Sequence, residues 1–417
     1  MIRYHITDLG DLPNNNYDQS KSVGINNSGL VVGSWYSFDG TVDSRGFVGS
    51  AQVAPFGIGN IAGRKSNTKD INEHGKVLGG HWKKESPESI HDGVYLYDYA
   101  THTTTDISSA IKQAIDFERI YPTAINNNGV IIGSLKTSKG EYKNFSFDTT
   151  NNQFTIIPYQ HFVNDINDNN IIVGNGTSAI YFDGVIHQIN GSENGSASAI
   201  NEDNWVVGST EQEAFLYHID TQSLKKLETL EGPWTLGGPT SIALGVNAHR
   251  HVVGQSTYQL RPTAFIYKES ANAKMHNLND LLIAANGWYL AAATDIDDHG
   301  RIIGYGSINY GKDRAFLLTP VEVPPEYETP KPKYYATIAE ILFGVIGDGG
   351  GGVFVGGKFK RIPPGDPPPE FDILLGVAMN RIAKLMSSHE GAALQKATMD
   401  MIIKIAKEEL KRIESKR

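Results

Sequence analysis

The 417-residue chain has no cysteine, which excludes a disulfide framework and any thiolate metal site. Positive charge is in deficit. There are 37 Lys and Arg against 46 Asp and Glu, a formal net charge of −9. Such a chain has no general attraction for nucleic acid or for an anionic membrane, so neither is the expected partner. No apolar run approaches the ~20 residues that span a bilayer. The opening MIRYHITDLG lacks the form of a signal peptide. Catalytic signatures are missing as well. There is no GxSxG, HExxH or P-loop, GIGNIAG (57–63) misses the dinucleotide spacing, and GGKF (356–359) lacks the Ser or Thr that would hold Mg²⁺. Nothing in the residues calls for a cofactor or assigns a catalytic residue.

What the chain does have is glycine, 44 residues of it, with abundant Asn, Asp and Ser, a composition suited to many turns between short strands. One ten-residue string recurs seven times: GINNSGLVVG (24–33), DINEHGKVLG (70–79), AINNNGVIIG (124–133), DINDNNIIVG (165–174), AINEDNWVVG (199–208), GVNAHRHVVG (245–254) and DIDDHGRIIG (295–304). Successive third positions lie 46, 54, 41, 34, 46 and 50 residues apart, a spacing in the range of propeller blades.

Each position has a physical reading. The second is a β-former. The third is Asn, or Asp297 in the last copy, whose side chain bonds backbone groups two residues on and shapes a turn. The sixth is Gly29, Gly75, Gly129, Asn170, Asn204, Arg250 or Gly300, which marks a left-handed turn residue. Arg250 breaks that pattern and is expected to be strained or to sit in a different turn. The glycine at the tenth position of every copy, inside a strand, suggests a bulge or a close backbone approach. Strand, tight turn and strand are followed by a third apolar segment (AFLY at 214–217, AFIY at 264–267) and usually a fourth (TTDI near Asp106, FTII near Ile156, VIHQI near His187).

Four strands per unit and seven units predict an all-β, seven-bladed β-propeller over residues 1–320. The last unit lacks a fourth strand, whereas YHITDLGDL (4–12) stands spare before the first. The N-terminal strand is therefore expected to complete the last blade and close the ring, leaving no open sheet edge. These units resemble the HAF repeats of bacterial extracellular repeat proteins, and residues 275–320 are similar to the final repeat of that family. The resemblance implies a propeller and an exported protein, and it carries no reaction with it. Against it stand the lack of a leader and a long extra tail.

Loops between the second and third strands vary in length, as in WYSFDGTVDSR (35–45) against TEQE (210–213), and share one face with the connections between blades. Variable loops on a rigid scaffold are where recognition is usually placed. Trp35, Trp82 and Tyr305, just after second strands, and Trp234 and Trp288, in connections, are the candidate ligand-binding residues, suited to stacking on sugar rings or anchoring a protein. Packing beneath loops is the competing reading. His74, His249 and His299 share the fifth repeat position and are weak metal candidates, since Ser28, Asn128 and Asn169 fill it elsewhere. DIDDHG (295–300) and DINDNN (165–170) match part of a calcium loop, but the bidentate Glu is missing.

Residues 321–334 are Pro-rich and read as a linker. Beyond them, 335–417 form a Gly-rich and then helical C-terminal module. Leu375, Met379, Ile382 and Met386 share one helical face, and Ser387 with Glu390 fits a capping box. So small a unit buries little apolar surface alone, so the module is expected to assemble with copies of itself or attach the chain elsewhere. The functional expectation is a non-enzymatic binding or scaffold protein for a glycan or protein ligand, with a possible homo-oligomer through 335–417. The alternatives are a carbohydrate-active enzyme in the propeller channel and a lectin-like toxin or adhesin component.

Overall fold

A computed structural model describes residues 2–10, 19–37, 44–83, 91–159, 161–176, 179–182, 184–192, 194–231, 240–270, 273–309 and 311–322. The predicted linker and C-terminal module (321–334 and 335–417) lie outside them except for Val321 and Glu322. The described residues belong to one compact unit.

That unit is a seven-bladed propeller: seven four-stranded antiparallel sheets, each in simple up-and-down order except the last. The innermost strands are Gln19–Ile25, Arg64–Ile71, Phe117–Ile125, Val163–Ile166, Ser196–Ile200, Ser241–Val246 and Trp288–Ile296. Each touches the innermost strand of the next blade, and the last touches the first, so they ring a central channel. The N-terminal strand Ile2–Asp8 pairs antiparallel with Asp313–Glu322, from Ile2 opposite Glu322 to Asp8 opposite Phe316, and completes the seventh sheet. The closure expected from the spare strand is the one observed.

The core lies between blades, because each sheet is covered on both faces and must be apolar on both. Seven hydrophobic clusters alternate around the ring. Leu78 and Val94 of the second blade pack with Ile120 and Phe147 of the third; Leu9, Ala315 and Leu317 of the closing sheet pack with Ile25 and Phe47 of the first. A short helix, Ser108–Ala114, bridges the second and third blades and buries Ile111; its sequence gave no signal strong enough to be anticipated.

The repeat's tenth-position glycine answers to both of its readings. In all seven blades the innermost strand carries a bulge two residues before the Ile or Val of the motif, and the glycine pairs with the residue just ahead of it. A Cβ at Gly133 would meet the carbonyl of Tyr121, and one at Gly304 the carbonyl of Ala292 and the ring of Phe316. The sixth-position residues all have positive φ, from +58° at Asn170 to +86° at Gly29. Arg250 adopts the same turn at φ +60°, with its N–H on the Asn247 carbonyl at 3.0 Å as in the other copies. Its charge rests against Glu269 at 3.1 Å and over the Trp205 ring.

Removal of residues 1–12 is expected to abolish single-step unfolding of the propeller, read by urea titration with fluorescence and circular dichroism together; coincident, unchanged transitions would reject closure by this strand. Gly304→Ala is expected to destabilise by about 2 kcal/mol or more, because the clash is with backbone that cannot step aside.

Candidate functional site: the axial channel and the variable-loop face

The third-position Asn does two jobs. Its Oδ1 accepts from backbone N–H groups two and four residues on: Asn72 from His74 (3.1 Å) and Lys76 (3.0 Å), Asn247 from His249 (3.1 Å) and His251 (3.0 Å). That is the turn the sequence predicts. Its Nδ2 then donates to the backbone carbonyl of the matching residue in the next blade. Asn26 reaches Asn72 (3.1 Å), Asn72 reaches Asn126 (3.0 Å), Asn126 reaches Asn167 (3.1 Å), Asn167 reaches Asn201 (3.3 Å), Asn201 reaches Asn247 (3.0 Å) and Asn247 reaches Asp297 (2.9 Å).

Asp297 has no amide to donate, and there the ring is closed by Arg301. Its Nε bonds the Asp297 carboxylate and its guanidinium donates to the Asn27 carbonyl at 2.7 Å.

A second belt runs outside the first. The fourth-position side chain of one blade accepts the backbone N–H of the blade before it. Glu73 takes Asn27 (3.0 Å), Asn127 takes Glu73 (2.8 Å), Asp168 takes Asn127 (2.8 Å), Glu202 takes Asp168 (2.8 Å), Asp298 takes Ala248 (2.8 Å) and Asn27 takes Asp298 (2.9 Å). The belt is broken at Ala248, whose methyl offers Glu202 no acceptor.

A third set of carboxylates sits deeper. Asp70, Asp165 and Asp295 hold the first repeat position, just after the bulge. Each takes its own following N–H (2.7, 2.8 and 2.8 Å) and one from the next blade: Ile125 (2.8 Å), Ile200 (2.9 Å) and Ile25 (3.1 Å) respectively. The same position in every flanking blade is Gly or Ala (Gly24, Ala124, Ala199, Gly245). A Cβ on Gly24 would meet Asp70, and one on Gly245 would meet Asp295. Burial pushes Asp165 and Asp295 up to about 7, against the backbone N–H bonds that pull them down. Burial followed by the Asp165 charge pushes Asp70 well up. All three residues keep partial exposure.

The predicted aromatic site is not assembled as an exposed surface. Trp35 (0% exposed) and Trp82 (1%) are core residues; the Trp35 ring lies tilted against Phe47, 4.7 Å between centroids, and Trp82 meets His91 edge-on at 4.7 Å. Trp288 starts an innermost strand and is buried against Phe316. Strand positions flanked by neighbouring blades bury both faces, so a Trp there is covered wherever the strand ends. Tyr305 is partly exposed, with Lys21 Nζ 4.0 Å above its ring and Asp313 3.2 Å from that ammonium. Trp234 lies outside the described residues. His74, His249 and His299 are exposed on turns of three different blades, and among the described residues no group of three or more His, Asp or Glu is placed to hold a metal ion. The calcium-like strings are used otherwise: Asp165 and Asp295 bind backbone, and Asp297 binds Arg301.

On the variable-loop face, a cleft of about 190 Å³ opens between the fifth and sixth blades. It is lined by Ser209, Thr210, Glu211, Thr240, Gln255 and Thr257, with Ser241 and Ile242 beneath. The four-residue loop Thr210–Glu213, closed by its own Thr210 N–H to Glu213 carbonyl bond (2.9 Å), is short enough to leave the cleft uncovered from that side.

The family model described as "Protein of unknown function (DUF3466)" matches residues 181–311. No curated protein matches the sequence. Among solved structures, the chain is similar to an acylaminoacyl peptidase of Pyrococcus horikoshii, at 9% identity and TM-score 0.46, over 73% of this chain and 52% of that one. It is also similar to the extracellular domain of a one-component system candidate from B. thetaiotaomicron (12% identity, TM-score 0.47, 77% of this chain and 40% of that one). TolB from Acinetobacter baumannii is a third (12% identity, TM-score 0.41, 60% and 63%). The chain thus spans less than two thirds of each, and at these identities the likeness concerns the fold alone.

Arg301→Ala is expected to cost about 3 kcal/mol, since it strands the buried Asp297 carboxylate. Adding Asp297→Asn is expected to recover much of the loss by restoring an amide donor; equal stability of the single and double variants in urea titrations would reject the latch. The raised Asp165 and Asp295 groups make the folded protein bind more protons than the unfolded chain. Their stabilisation is complete below about pH 4, the ordinary carboxylate value, and is lost as pH rises through about 7. Asp295→Asn is expected to flatten the fall in urea midpoint between pH 5 and pH 8 while lowering it at pH 5, where one acceptor is missing. A slope equal to the parent's would contradict this.

Proposed function

We propose that the chain is a non-enzymatic binding and scaffold protein whose propeller presents its variable-loop face to a glycan or protein ligand. The observation that carries this reading is the use of the channel carboxylates. Glycoside hydrolysis needs a pair of carboxyl groups free to face a scissile bond and a water, roughly 5–9 Å apart. Asp70, Asp165 and Asp295 each spend both oxygens on backbone N–H groups of two blades, and Glu73, Asp168, Glu202 and Asp298 hold the next belt together. Removing any of them to serve catalysis would loosen the ring. These acids are therefore read as structural, which favours binding over an enzyme acting in the channel.

The cleft between the fifth and sixth blades supports the same reading. Among the described residues its lining offers hydroxyls, the Gln255 amide and the Glu211 carboxylate, which suit a neutral polar ligand of monosaccharide size. The seven motif copies support membership of the HAF-repeat family and, with it, an extracellular setting. The module at 335–417 is proposed to join copies of the chain, which would make the binder multivalent.

The test is a glycan and protein array probed with the full chain, followed by Gln255→Ala with Glu211→Ala. Binding that falls at least tenfold in the double variant, with no release of product from the bound glycan, is the expected result. Turnover of the glycan, or binding indifferent to both substitutions, would overturn the reading. Light scattering on the full chain and on residues 1–322 is expected to give an oligomer and a monomer; two monomers would remove the assembly role.

A further inference from the structure

The second blade departs from the repeat in a way that the ring does not require. At the bulge position the other blades carry Val23, Thr123, Asn164, Ser198, Leu244 and Thr294; the second carries Lys69. Along its innermost strand, Ser66 and Thr68 are buried, and Thr68 bonds the Gly33 carbonyl of the first blade at 2.5 Å. Lys65, Asn67 and Lys69 alternate with them on the opposite face and keep partial exposure. Lys69 makes no salt bridge or hydrogen bond to any described residue. Burial lowers its affinity for its proton, and its charge is felt by His91.

The surroundings of Lys69 are short of partners too. Following the repeat glycine Gly79, a second glycine, Gly80, leaves room for His91; a Cβ there would meet the imidazole and Asn67 Oδ1. His91 can then reach Asn67, with Nε2 3.1 Å from the amide nitrogen, between the edge of Trp82 and the Tyr121 ring of the third blade. Yet His91 Nδ1 and Trp82 Nε1 are buried without a hydrogen-bond partner among the described residues. Buried polar atoms are nearly always paired, and a concentration of unpaired ones beside an uncompensated ammonium marks a place where something is missing.

We infer that the axial channel binds a small oxyanion, a carboxylate or a phosphate, at Lys69 of the second blade, beside the Asn67–His91 pair. An anion supplies the countercharge that no described side chain provides, and its oxygens accept from the ammonium. This site is separate from the cleft of the fifth and sixth blades, so it stands whether or not that cleft binds a ligand.

The test uses the full chain at pH 7 in a buffer free of phosphate and carboxylates. Inorganic phosphate and acetate are titrated separately by calorimetry, and the tighter of the two identifies the group. Saturable binding of at least one is expected, weakened at least tenfold by Lys69→Met and kept within about threefold by Lys139→Met, at an exposed turn of the third blade. In the absence of ions Lys69→Met is expected to raise the urea midpoint, by removing an unpaired and partly buried charge, whereas a lysine that merely packs would lose stability. The bound ion is expected to raise the midpoint of the parent and not that of the variant. If Lys69→Met does not fold, Lys69→Gln carries the same comparison. Failure of both ions to bind the parent, or equal affinity in the Lys69 variant, would overturn the inference.

Discussion

The propeller depends on one side-chain amide used twice. Acceptance through Oδ1 fixes a tight turn inside each blade, and donation through Nδ2 fixes the next blade at the same height. The two halves of one planar group thus tie local geometry to ring geometry. Because five of the six, all but the partly exposed Asn201, are almost fully buried, from 0% exposed at Asn167 to 5% at Asn72, water hardly competes for the bonds. A blade cannot tilt or slide without breaking its own turn, which is why short, weakly paired sheets such as the fourth blade's can persist in the ring.

The same economy explains the glycine and the acids. A bulge turns two consecutive residues of each innermost strand toward the channel, and the displaced carbonyl presses on the second strand, where only glycine fits. Of the two bulge residues, the second can be Asp only if its neighbours are small. Around a ring of seven that permits three Asp, with two small residues left side by side at Ala199 and Gly245. The seam between the last blade and the first is built differently, from Asp297 and Arg301, together with the shared sheet of Ile2–Asp8. Closure of the chain and closure of the hydrogen-bond ring coincide there.

Much of this is legible in the residues. Seven motif copies, a missing last strand and a spare first one lead directly to the closed ring, because strands and turns are written in local pattern. Even the donor role had a trace. Asp shapes such a turn as well as Asn does, so Asn in six copies of seven signals a need for the amide, and the exception, Asp297, is followed four residues later by Arg301. The candidate binding residues were harder. In sequence Trp35 and Trp82 read as lying just after the second strand, like surface anchors, but both fall inside it, and each sheet of a propeller is sandwiched, so their rings are core. The groups proposed to hold an anion, Lys69 and Asn67 on one strand and His91 ahead of the third strand, are brought together only by the fold of the blade, and no periodicity marks them.

The sequence by itself determined the blade, the number of blades and how the ring is closed, since these follow from local turn chemistry and from counting strands. Only the tertiary structure decided which polar groups are spent on the ring and which are left over. That depends on distances between blades some 34 to 54 residues apart in the chain, where a carboxylate that meets two N–H groups becomes structure and an ammonium that meets no acceptor among the described residues is left over.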